Sequence, residues 1–174
     1  MSRLHQFGFE YDADEDRLLL KVKTSDHAEI RVWLTQRFIK MMMWPHLQKL
    51  TDLEPQVQRQ SSPVARKSII SFQRETAIAK TDFSTPYEKK VTARPAGEEP
   101  QVARRLKVKT SKTGLHVITF VTKEGKEIAI SLNNQHLHSF CHLLVQAVSK
   151  AKWGLGLEAE DKFQAPHEAP QQLM

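Results

Sequence analysis

Reactive and charged side chains cluster in a few short stretches of this sequence, and the basic ones stand out. Arg104, Arg105, Lys107, Lys109 and Lys112 fall in one short stretch that alternates with Leu106 and Val108. In an extended strand, alternate residues share a face at intervals of roughly 6.6 Å, so Arg105, Lys107 and Lys109 form a row of positive charge. Phosphates along an extended nucleic-acid strand repeat on a similar scale, and such a row could follow them. The bland alternative is a charged strand edge that prevents unwanted pairing. Trp33, next to Arg31, occupies the outward face of another alternating strand, where a base could stack; burial under a neighbouring segment is the competing reading.

Other constellations carry less chemistry. His138 and His142 are one helical turn apart, with His136 and Cys141 nearby, but no Glu lies between the pair and no second ligand pair has metal-site spacing. A polar helix face is the simpler reading, and neither metal nor cofactor is expected. Asp12, Asp14, Glu15 and Asp16 lack the Gly and Glu of a calcium loop. There is no phosphate-cradling Gly loop and no nucleophile elbow, so a non-enzymatic protein is expected. Met41 and Trp44 widen an apolar helical stripe into a second face, and Phe83 and Tyr87 stand in a polar stretch. These four are the candidate partner-binding residues, for a homodimer or another protein. Alternatively, the chain covers them itself.

The strands and helices that carry these side chains come in two similar sets. Shifted by 98 positions, Thr24–Leu50 lies on Thr122–Val148 without a gap, placing Glu29, Ile30, Leu34 and Gln48 on Glu127, Ile128, Leu132 and Gln146. The first set reads as a strand around Phe7–Tyr11, a strand over Arg17–Thr24, a strand over Glu29–Leu34, then a helix capped by Thr35. Pro45 should kink that helix by removing a hydrogen bond to Met41. The second set reads as strands at Arg104–Lys109, Leu115–Thr122 and Glu127–Leu132, then a helix capped by Asn133 and running to Trp153. The expected class is α+β: two βββα repeats related by a pseudo-two-fold, their antiparallel sheets each packed on one helix.

The expected divisions are a first repeat over 1–53, a linker over 54–101 and a second repeat over 102–157. An acidic flexible tail over 158–174 follows. Within the linker, Ser62-Pro63 opens a helix over 63–80. The 174-residue chain carries a formal charge of +6, concentrated in the second repeat, where nine Lys/Arg face two acids over 102–153. One cysteine, no apolar leader and no run near ~18 apolar residues fit a cytoplasmic protein that does not enter a membrane.

A duplicated unit of antiparallel strands closed by one helix resembles the Whirly and PUR class of single-stranded nucleic-acid binders. The likeness covers the two repeats and is one of layout. Those families place four strands before each helix, and Lys123-Glu124-Gly125-Lys126 is not the Lys-Gly-Lys-Ala type motif of Whirly proteins. The resemblance implies a sheet surface for single-stranded DNA or RNA. The leading expectation is thus a binding module for such a strand, using Arg104, Arg105, Lys107, Lys109 and Lys112 with Arg31 and Trp33. The alternative is a protein-interaction or scaffold protein docking through an apolar helix face.

Overall fold

Period-two alternation makes strands where one face must be buried, and six segments of this chain satisfy it. In the computed structural model, which describes residues 3–157, these are β1 (Leu4–Asp12), β2 (Arg17–Thr24), β3 (Glu29–Leu34), β4 (Gln101–Thr110), β5 (His116–Thr122) and β6 (Glu127–Leu132). Two antiparallel meanders result, β1-β2-β3 and β4-β5-β6. They do not form separate sheets. β4 runs parallel to β3 through Val32↔Gln101 and Trp33↔Val102, giving one six-stranded mixed sheet in sequence order. The expectation of two sheets is corrected for a simple reason: the segment before β4 carries the chain back to the start of β3, so β4 enters alongside it.

The helices follow their caps. Thr35 accepts a hydrogen bond from Phe38 N and opens α1 (Gln36–Phe38), which continues through a π-helical turn (Ile39–Met43) into α2 (Trp44–Asp52). A wide π-helical turn stands just before the position of the expected kink. Pro45 cannot donate to Met41, and the extra residue in the turn moves the backbone of this region off the α-helical register. A short α3 (Pro55–Gln58) precedes α4 (Pro63–Lys80), which Ser62 caps as its sequence suggests. Asn133 caps α5 (Asn134–Lys150), which ends one turn before the expected Trp153.

A single core joins both meanders. Leu18, Leu20 and Val22 of β2, Val32 and Leu34 of β3, Ile118 and Phe120 of β5, and Ile128, Ile130 and Leu132 of β6 form its sheet side. Phe38, Ile39, Met43, Leu47 and Leu50, with Leu137, Phe140, Cys141 and Leu144, form its helical side. The helices cross over. Met42, from the helix that follows β3, presents its sulfur 3.1 Å from Leu106 N on β4. Phe140, from the helix that follows β6, packs on Phe7 and Phe9 of β1 with ring centroids 5.5 and 5.1 Å apart.

Registers in the two meanders coincide. Leu18↔Leu34, Leu20↔Val32 and Val22↔Ile30 shift by 98 onto His116↔Leu132, Ile118↔Ile130 and Phe120↔Ile128. Both hairpins close alike: His27 and Gly125 hold the same left-handed position, with φ of 62° and 83°. The amides of Thr24 and Thr122 donate to the carbonyls of Ala28 and Lys126. Each first strand also has an irregularity at its entry, between Leu4 and Gln6 in β1 and between Ala103 and Arg105 in β4.

Candidate nucleic-acid interface

The outer face of the sheet is covered in one half and open in the other. Over β2 and β3 lies the stretch 86–98, an ordered strap without regular structure of its own. It attaches by a backbone bond from Glu29 N to Ala93 O and another from Thr92 N to His27 O. Beneath it Lys23 and Glu29 are buried, with Lys23 0% exposed. Lys23 Nζ donates to Lys90 O at 2.7 Å and lies 3.7 Å from the Glu29 carboxylate. Glu29 also accepts from Tyr87 OH at 3.2 Å and from Arg94 Nε at 3.4 Å, and Arg31 Nε lies 3.6 Å away. The strap is therefore held by a carboxylate among three cations. Burial, then the adjacent Glu29 charge, pushes the Tyr87 phenol well above its usual range.

In the other half the outer face carries Lys109, Val117 and Ser131 in one rung and Lys107, Thr119 and Ala129 in the next; Arg105 and Glu127 follow, on either side of Val121, which is buried. Arg104, Arg105, Lys107 and Lys109 are all exposed, as is Lys112 in the turn after β4. Arg104 is the additional residue of the β4 irregularity; such a residue re-aims its side chain. One acid intrudes: Lys107 Nζ donates to Glu127 Oε1. That bond, followed by the charges of Lys107 and Arg105, holds the Glu127 carboxyl below its usual range. Five cations thus face one carboxylate on a floor of small side chains, Thr119, Ala129 and Ser131.

The remaining expected residues fall differently. Trp33 is half-buried, and the Arg17 guanidinium sits 4.2 Å from its ring centroid, occupying one face of the ring. Arg31 donates to Glu98 O in the strap. Both belong to the covered half. Trp44 is 2% exposed, which corrects its assignment as a partner contact. The π-helical turn shifts the helical phase by one residue and brings Met43 and Trp44 into the core together. Met41 is left outside, 69% exposed. Phe83 is exposed and tilts on His142 at 5.5 Å, whereas Tyr87 is half-buried in the strap.

The histidines point to structural bonding. His138 is buried and accepts from Arg74 Nε through Nδ1 at 2.9 Å, tying α4 to α5. Burial, then the Arg74 charge, pulls its pKa down to about 3. No group of three or more His, Cys, Asp or Glu among the described residues is arranged to hold a metal. No helix among them is long and apolar enough to cross a membrane. The acidic stretch 158–174 lies outside the described residues.

Two features escaped sequence reasoning. The Lys23–Glu29 cluster reads as two solvent-facing charges unless the strap is placed over them. The other is a groove of about 660 Å³ along β1, lined by Leu4–Phe9, Lys80–Phe83 and one face of α5. No family model matches the chain, and neither a curated protein nor a solved structure does.

Proposed function

We propose that this protein is a non-enzymatic binding module that takes single-stranded DNA or RNA on the open outer face of β4, β5 and β6. Arg104, Arg105, Lys107, Lys109 and Lys112 contact phosphates in this reading, while the strap-covered half serves as scaffold. The observation that carries it is the exposed row of five cations facing a single carboxylate, beside a face whose counterpart is already occupied. Small residues on the floor, Thr119, Ala129 and Ser131, leave room for sugars and bases. Trp33 and Arg31 join only if the strap lifts.

We further infer that the two meanders with their helices are one unit used twice about a pseudo-two-fold. The coincident hairpin registers support it, as does the reciprocal packing of Met42 on β4 and Phe140 on β1. Met42 and Phe140 are themselves 98 positions apart.

A salt titration of a fluorescein-labelled oligo-dT and an oligo-U tests the binding reading by polarisation. Neutralising three to five phosphates gives a log–log slope of about −2 to −3.5 for a single strand. Arg105→Ala and Lys109→Ala should each make the slope shallower by about 0.7. Glu127→Gln frees Lys107 and should tighten binding at low salt. No binding at low salt, or a slope indifferent to Arg105 and Lys109, overturns the proposal.

A further inference from the structure

β1 is the first strand of the sheet and pairs only with β2 among the described residues. Its other edge does not face open solvent. Six consecutive residues, Leu4 to Phe9, line the 660 Å³ groove. Side chains of a strand alternate between faces, so a cavity that touches Gln6 to Phe9 in a row, beyond the irregularity between Leu4 and Gln6, reaches both faces of β1 around its free edge. The opposite wall is α5, through Gln135, His136, Leu143, Gln146, Ala147 and Lys150. Phe83 and Thr85, which lead into the strap, and Tyr87 within it close one side. An unpaired strand edge beside such a trough offers backbone donors and acceptors to an incoming extended chain, and pockets for its alternate side chains.

The chemistry of the trough selects the chain. Phe7, Phe9, Phe83, Leu143 and Ala147 supply apolar surface, while Lys80 and Lys150 supply positive charge at its rim. The one carboxylate on the lining is Asp82. Its oxygens are turned to the chain itself, accepting from the Ser84 amide at 2.9 Å and Ser84 hydroxyl at 2.6 Å, and from the Thr85 hydroxyl, and it keeps its negative charge. These bonds hold its pKa far below the usual carboxylate range. Two ammonium groups against that one carboxylate leave the lining net positive, over an apolar floor.

We propose that the groove along β1 is a docking site for an extended acidic segment of a partner protein, which adds to the sheet beside β1. Apolar residues at alternate positions settle on Phe7, Phe9 and Leu143, and acidic residues between them meet Lys80 and Lys150. Phe83 and Tyr87 thereby act at a partner site, as walls of the groove rather than as a free docking peptide. This site is separate from the basic face of β4 and does not depend on nucleic-acid binding there.

The test uses the full chain and a fluorescein-labelled ten-residue peptide alternating Glu and Val, with its Lys-for-Glu counterpart as control. Polarisation should show binding of the acidic peptide and not of the basic one. Hydrogen exchange of the β1 amides between Leu4 and Phe9 should slow when the acidic peptide is added. The double variant Lys80→Glu/Lys150→Glu, which changes only exposed side chains, should weaken binding about tenfold or more. Phe83→Ala should weaken it without a charge change. The proposal is overturned if neither peptide binds, if both bind equally, or if β1 exchange is unaltered by binding. It is likewise overturned if acidic-peptide affinity follows Arg105 and Lys109 instead of Lys80 and Lys150. Slowed β1 exchange on adding the oligonucleotide alone would assign the groove to nucleic acid.

Discussion

Replacing Glu29 by alanine should damage this fold more than replacing any other charged residue of the sheet. The carboxylate is 6% exposed and stands among Lys23, Arg31 and Arg94, with the Tyr87 hydroxyl as a further donor. Without it, the Lys23 ammonium keeps only the Lys90 carbonyl at 2.7 Å and the Tyr87 ring at 5.1 Å, inside a site with no exposure. Removing one partner of a buried pair typically costs about 3–5 kcal/mol. Arg31 and Arg94 retain some solvent access and can turn outward, so the loss belongs near the lower end, about 3 kcal/mol. Because the orphaned ammonium is the main cause, Lys23→Met in the Glu29→Ala background should recover about half of it. Urea unfolding of the wild type, both single variants and the double variant measures this coupling. Hydrogen exchange over 86–98 should rise in Glu29→Ala before global unfolding, because the strap loses its anchor. A Glu29→Ala variant within about 0.5 kcal/mol of wild type, or additive losses in the double variant, would refute this account of the buried cluster.

Three further outcomes follow from local geometry. His138 has a pKa lowered from 6.5 to about 3, so the unfolded chain binds its proton first and stability falls as pH drops from 6.5 toward 3. The slope from this residue reaches about 1.4 kcal/mol per pH unit, and His138→Gln, which keeps an acceptor for Arg74, should flatten it in urea melts across that window. Thr35→Ala and Asn133→Ala remove equivalent helix caps and should each cost about 1 kcal/mol, read from the shift in urea midpoint. Gly8 sits mid-strand with nothing within 4 Å of an added Cβ, so Gly8→Thr should raise stability by about 0.5–1 kcal/mol in the same assay.

Regular elements were legible because each declared its own period and its own ends. Strict alternation marked Glu29–Leu34 and Glu127–Leu132, Ser62-Pro63 marked the start of α4, and Thr35 and Asn133 marked two helix starts. Trp44 departs from its expected exposed face because a fixed 3.6-residue phase cannot anticipate a π-helical turn at Ile39–Met43. The strap left no trace in periodicity, since its hydrogen bonds go to partners far along the chain, such as Thr92 to Asp26 and Tyr87 to Glu29. The groove was invisible for the same reason: Leu4–Phe9, Lys80 and Lys150 become neighbours only through tertiary folding.

The two halves agree in register and part company in what their outer faces hold. On β2 and β3 that face presents Lys23, Glu29 and Arg31; shifted by 98, the same positions on β5 and β6 are Val121, Glu127 and Ala129. Lys23 and Arg31 are two of the cations that hold Glu29 under the strap, and the second half has an apolar and a small residue in their places. Glu127 consequently reaches across to Lys107 on β4 instead of into a buried cluster. A strap bound by the first face has no counterpart charges on the second. What the second face offers is positive charge along one side and a low floor, which suits a guest that brings its own negative charge at regular intervals. Transplanting Arg31 alone as Ala129→Arg, at an exposed position, should therefore add charge next to Glu127 without creating a strap site. In the proposed reading it steepens the salt dependence of oligonucleotide binding; an unchanged slope in polarisation would count against the open face as the contact surface.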